Sequence, residues 1–99
     1  MNTKEWLLKI AQEVEDDPTR WTRSSSARDK SGRFVSAISA DAVCWCAVGF
    51  GWRDSIIGEI PIDELSNAAG GKFIAEYNDS LESPEQFVSW FRKAAEMCE

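Results

Sequence analysis

The residues of this chain that could do chemistry fall into three groups. Cys44 and Cys46 flank Trp45, Asn78-Asp79-Ser80 forms a polar run, and Arg20, Arg23 and Arg28 surround Trp21. Histidine is absent from the chain. Ser-His-Asp and Cys-His mechanisms, histidine-bearing zinc sites and imidazole acid-base catalysis are thereby excluded from it.

The cysteine pair sits in an apolar stretch that reads as helix. Side chains two apart on a helix point about 200° from one another, so the two sulfurs would share neither a metal nor a bridge. Cys98 is the only further cysteine, too few for a four-thiolate site, and an odd count is not the framework of a small secreted domain. All three read as reduced core thiols. No metal and no cofactor is expected.

Asn78 and Asp79 suit a turn or cap that bonds its own backbone. The alternative is a polar corner of Asn78, Asp79 and Arg28 beside aromatic rings, able to hold a small ligand or serve a small enzyme. The run is too short of spaced oxygens for a calcium loop. Gly49-Phe50-Gly51 and Gly70-Gly71-Lys72 match neither the phosphate-loop nor the dinucleotide pattern.

The arginines interleaved with Trp21 could pair with phosphate and stack on a base, which makes nucleic-acid binding through the Arg20 to Arg33 loop a second alternative. The simpler reading is a solvated loop whose arginines bridge to acidic helices. Charge favours it: Pro18 to Arg33 holds five cations and one anion, whereas the remainder holds six cations and sixteen anions, a net −10. Such acidity disfavours direct nucleic-acid or anionic-membrane binding.

The elements that would position these groups follow from periodicity in one helical domain spanning residues 1–99. Trp6, Leu7, Ile10, Ala11 and Val14 recur at helical spacing, with Thr3 a candidate cap and Asp16-Asp17-Pro18 the stop. Thr19 to Ile38 reads as a loop ending in a short strand or hairpin over the alternating Phe34 to Ile38. Ser39 can cap a second helix from Ala40 to Arg53, apolar on every side and therefore buried, in which Gly49 and Gly51 permit close approach of a neighbour.

After the break at Gly58-Glu59-Ile60-Pro61, the spacing of Ile62, Leu65, Ala68 and Ala69 predicts a short helix that Gly70-Gly71 interrupts or stops, and Lys72 to Tyr77 either resumes helix, the favoured reading, or forms a strand. Ser83-Pro84-Glu85-Gln86 is a capping box opening a terminal helix from Pro84 to about Met97, with Phe87, Val88, Phe91, Ala94, Ala95 and Cys98 on its apolar stripe. Trp90 falls off that stripe and is a candidate surface contact, the simpler reading being a packing residue at the edge of the core. The class expected is mainly α: a compact four-helix domain around a buried central helix, with at most one short strand or hairpin. No apolar run has membrane or secretory length, so a cytoplasmic location without membrane contact is expected.

Trp21, Ala27-Arg28-Asp29 with Gly32 and Val35, the run Ala42 to Gly49, and Tyr77-Asn78-Asp79 together resemble a family of small bacterial and phage proteins of unknown function. That family pairs a W-C-x-x-G core with a downstream W-N-D. Here Tyr77 stands for the second tryptophan, and Phe50 for a small residue after the glycine. The resemblance spans roughly Thr19 to Ala95. It implies a cytoplasmic helical domain in which Asn78 and Asp79 form a shared structural or binding corner, and it transfers no catalytic residue.

Without a catalytic constellation, the reading favours a non-enzymatic acidic binding or regulatory protein over an enzyme. Its partner would be a protein, and a basic nucleic-acid-binding complex is one candidate. One concrete form is a phage-encoded inhibitor of a bacterial defence complex, akin to anti-CRISPR proteins, whose carboxylates mimic nucleic acid in a cationic channel. Glu13, Glu15, Asp16 and Asp17, with Trp90, are the expected contact residues, and the terminal helix is the alternative source of the acidic face.

Overall fold

The computed structural model describes residues 2–54 and 61–98; the expected break at Gly58-Glu59-Ile60 lies outside them. The first helix, α1, is Thr3–Asp16, and it buries Trp6, Leu7, Ile10, Ala11 and Val14 as the spacing predicts. Its cap is Asn2, not Thr3. The Asn2 side chain accepts from the Glu5 amide at 2.8 Å, and the Glu5 carboxylate accepts from the Asn2 amide. Two orphan backbone donors are satisfied reciprocally. Asp17 and Pro18 end the helix by starting a 3-10 turn over Pro18–Arg20.

The terminal helix, Pro84–Glu96, opens on Ser83, whose hydroxyl accepts from the Gln86 amide. Only half of the expected capping box closes, because the Gln86 side chain accepts instead from the Glu82 amide at 2.7 Å. This helix lies along α1, with Trp6 against Phe91 at 5.9 Å between ring centroids and Phe87 stacked on Phe91 at 4.4 Å. Each such ring removes a large apolar area from water, a gain of about 1.5–3 kcal/mol apiece.

Between the two, the expected central helix over Ala40–Arg53 is replaced by a strand and a shorter helix. Ala27–Asp29 forms β1 and Ala42–Trp45 forms β2, antiparallel, with Ala27 opposite Trp45, Arg28 opposite Cys44 and Asp29 opposite Ala42. The irregular step after Arg28 leaves Val43 as a bulge without an opposite number. The strand expected at Phe34–Ile38 reduces to one bridge between Phe34 and Arg28. Tertiary pairing decides the matter, since the Trp21 to Ala27 loop supplies partners that a helix would not need: Thr22 donates to the Trp45 carbonyl at 3.0 Å and Cys46 to that of Ser26 at 3.2 Å.

Helix α2 then runs over Ala47–Arg53. Cys46 caps it, its sulfur accepting from the Gly49 amide at 3.3 Å. A β-carbon on Gly49 would stand 1.8 Å from the Ser26 carbonyl oxygen, so the close approach read from the sequence is real at this position. Helix α3 is Ile62–Ala68, followed by left-handed Gly70 and Gly71 at φ +73° and +88°. Helix α4 is Ile74–Ser80, which makes the terminal helix α5. Among the described residues the chain is thus mainly helical, with five helices and one two-stranded ribbon.

Trp90 is not a surface contact. Only 3% of it is exposed, its indole N–H donates to the Leu65 carbonyl at 2.9 Å, and Tyr77 meets its ring edge-on at 4.9 Å. Helix α3 packs on a second side of α5, so the buried arc of α5 is wider than the stripe that faces α1.

Candidate functional site

The W-C-x-x-G and Asn-Asp motifs converge on Asn78, which is wholly buried near the end of α4. Its Oδ1 accepts from the Trp21 indole N–H at 3.0 Å and from the Ala47 amide at 3.1 Å. Its Nδ2 donates to the Thr22 carbonyl at 3.1 Å and to Asp79 Oδ1 at 3.3 Å. An asparagine side chain has two acceptor lone pairs and two donors, and all four are taken. Ala47 opens α2, so one of these bonds satisfies an orphan amide of that helix from a different element.

Asp79 extends the clamp. It accepts from the Ser24 amide at 2.7 Å and holds Ser24 at φ +64°, while Arg23 donates to the Leu81 carbonyl at 2.9 Å. Arg28 belongs to a neighbouring knot: its guanidinium donates to the Thr22 hydroxyl and to the Gly32 and Arg23 carbonyls, and it lies 4.5 Å over the Phe34 ring. Asn78 and Arg28 therefore meet only through Thr22, one at its carbonyl and the other at its hydroxyl. The corner ties loop to helix and leaves Asn78 nothing with which to hold a ligand.

Trp21 is committed as well. Besides its bond to Asn78 it packs on Phe87 at 6.0 Å, so it is a half-buried edge of the core. Arg20 pairs with Glu13 and Asp17, the bridge to acidic residues anticipated for this loop.

The acidic residues expected at the end of α1 are largely occupied internally. Arg53 grips Glu13 at both oxygens, 2.7 and 2.9 Å, while Arg20 bonds one of them. Glu15 pairs with Arg92 at 2.6 Å, and Asp17 accepts from the Thr19 amide and hydroxyl. Asp16 is exposed and accepts only from Gln12 among the described residues.

Sequence reasoning missed the centre of this network. Arg53 also bonds both oxygens of Asp54 and lies over the rings of Trp45 and Phe50 at 4.8 and 4.9 Å, and Asp54 accepts from the Trp6 indole at 2.8 Å. Burial works against charge on Glu13 and Asp54, yet the Arg53 guanidinium, joined by Arg20 and Lys9 at Glu13 and by the Trp6 indole and Lys9 at Asp54, outweighs it and holds both carboxyls below their ordinary values. No local motif announces the cluster, because its members come from α1, the end of α2 and the residue after it.

Cys44 and Cys46 do not lie on one helix as expected: Cys44 is on β2 and Cys46 caps α2. Both are free and buried, and burial pushes the Cys46 thiol up. No group of three His, Cys, Asp or Glu among the described residues could hold a metal ion. No helix among them is long and apolar enough to cross a membrane. An open groove of about 540 Å³ runs between α1 and α5, past Val14, Pro18, Val88 and the Glu15–Arg92 pair.

Asp63, Glu76, Glu82, Glu85 and Glu96 remain at the surface, and no ion pair among the described residues includes any of them. No family model, curated protein or solved structure matches the chain.

Proposed function

We propose that the chain is a non-enzymatic binding protein that acts through protein-protein contacts, docking carboxylates on a cationic partner surface. The observation that carries this reading is the division of the acidic residues. Glu13, Glu15, Asp29 and Asp54 are neutralised by arginines of the same chain, whereas Asp63, Glu76, Glu82, Glu85 and Glu96 face solvent and enter no ion pair among the described residues. Such a surface speeds encounter with a partner of opposite sign and suppresses wrong partners.

The docking residues therefore shift from the end of α1 to α3, α4 and the start and end of α5, with Asp16 the member of the original set that keeps an exposed carboxylate without an ion pair among the described residues. A nucleic-acid-mimicking inhibitor of the anti-CRISPR type is one form of the same reading. Capture from a lysate of the source organism at low salt tests it. A protein with a basic surface is expected to be retained and to elute as salt rises; an empty column at low salt, or a partner held independently of salt, contradicts the reading.

A further inference from the structure

A separate surface lies on the cationic side of the molecule, at the open edge of the ribbon. Arg33, Phe34 and Val35 run antiparallel to β1: the Asp29 amide donates to the Arg33 carbonyl at 2.9 Å and the Val35 amide to the Ala27 carbonyl at 3.2 Å. Because these bonds flank the Arg28–Phe34 pair, the N–H and C=O of Phe34 point away from β1, and neither has a partner among the described residues. Phe34 itself is 69% exposed on this edge, and Ile38, in the turn that follows, 73%.

We propose that this edge accepts an extended, acidic segment of a partner protein as an added strand. Main-chain bonds to Phe34 would supply the pairing, and alternate apolar side chains of the segment would cover its ring. Charge chooses the occupant. Lys30 is exposed beside the edge, and although Arg33 pairs with Asp29 at 3.0 Å, that carboxylate is the one anion of the Arg28 to Phe34 stretch, which holds three cations and so stays net positive. A second copy of this chain would bring two such cationic edges together, so self-pairing is disfavoured, as cations on sheet edges commonly ensure. A segment carrying carboxylates meets the opposite sign.

The probe is a short capped peptide alternating glutamate and valine, titrated into the isotopically labelled chain and followed by amide shifts. Saturable shifts at Arg33, Phe34 and Val35, with slowed exchange of the Phe34 amide, are expected. A lysine-valine peptide is expected to bind at least ~tenfold more weakly, and Phe34→Pro, which removes the outward amide together with the ring, is expected to cost at least a similar factor. If that variant does not fold, an N-methylated peptide that cannot pair provides the same comparison. Equal binding of the two peptides, shifts confined to other regions, or no saturation at millimolar peptide would overturn the proposal. A Phe34-dependent dimer in sedimentation would also overturn it, assigning the edge to a second copy. The acidic-surface reading survives any of these outcomes, because it rests on different residues.

Discussion

The indole N–H of Trp21 donates to the side-chain oxygen of Asn78 across 3.0 Å, joining residues separated by most of the chain. The same oxygen holds the first amide of α2, so Asn78→Ala leaves the buried Ala47 amide, the half-buried Trp21 indole N–H and the Thr22 carbonyl without these partners. An unsatisfied buried polar group costs about 1–3 kcal/mol, and the variant is expected to lose roughly 3 kcal/mol or more in urea unfolding. Asp79→Ala removes an exposed side chain and is expected to cost about 1 kcal/mol. The reverse ranking would show that Asn78 is not the tie described.

Gly49 and Gly32 provide a second contrast. At Gly49 an added methyl collides with the Ser26 backbone at 1.8 Å, and Gly49→Ala is expected to destabilise by about 3 kcal/mol or to prevent folding. At Gly32 the space is open and only the left-handed φ of +84° opposes a side chain, so Gly32→Ala is expected to cost about 1–2 kcal/mol. Thermal unfolding of both variants measures the difference.

Helices α1 and α5 could be read from the sequence because each carries a long apolar stripe, bounded by the Asp16-Asp17-Pro18 stop in α1 and by the Ser83 cap in α5, although the α1 cap itself is Asn2 and not the expected Thr3. The stretch from Ala42 to Phe50 could not, since an unbroken apolar run has no period to separate buried strand from buried helix. Its strand half exists because Ser26 and Thr22, far back in sequence, bond its backbone. Cys46 gave no warning as a cap, because sulfur is an uncommon acceptor there. Trp90 was a candidate contact for a related reason: one stripe was assigned to α5, and the packing of α3 against another side, which buries this ring more deeply than an edge of the core, is not written locally. Asn78 and Asp79 were visible as a polar pair, but only the fold reveals that every bond Asn78 can make is spent on Trp21, Thr22, Ala47 and Asp79.

Acid is expected to unpick the Glu13–Arg53–Asp54 cluster. Their folded-state pKa values lie below the ordinary ones, so on acidification the unfolded chain takes up protons first. Stability from this source is complete above the ordinary carboxylate range and is lost as pH falls through the lowered values. Denaturant midpoints measured from neutral pH downward are expected to decline in that window, and Arg53→Met is expected to flatten the decline while lowering stability at neutral pH.

The cap at Cys46 predicts an ordering of substitutions. Cys46→Ser keeps an acceptor for the Gly49 amide and is expected to change stability little, whereas Cys46→Ala is expected to lose about 1 kcal/mol. Reductant or chelator is expected to leave the melting temperature of the native chain unchanged, since all three thiols are free. A drop of several degrees on chelation would contradict the assignment of a purely structural role.

The central claim is that function lies on carboxylates the fold leaves uncompensated, and association kinetics with the captured partner test it most directly. Charge reversal at Glu82 and Glu85 is expected to slow association by about tenfold at low salt and to weaken its salt dependence, whereas reversal at Arg20 and Arg23 is expected to leave the salt dependence in place in variants that stay folded. Unchanged association by the Glu82→Lys, Glu85→Lys variant at every salt concentration would contradict the account.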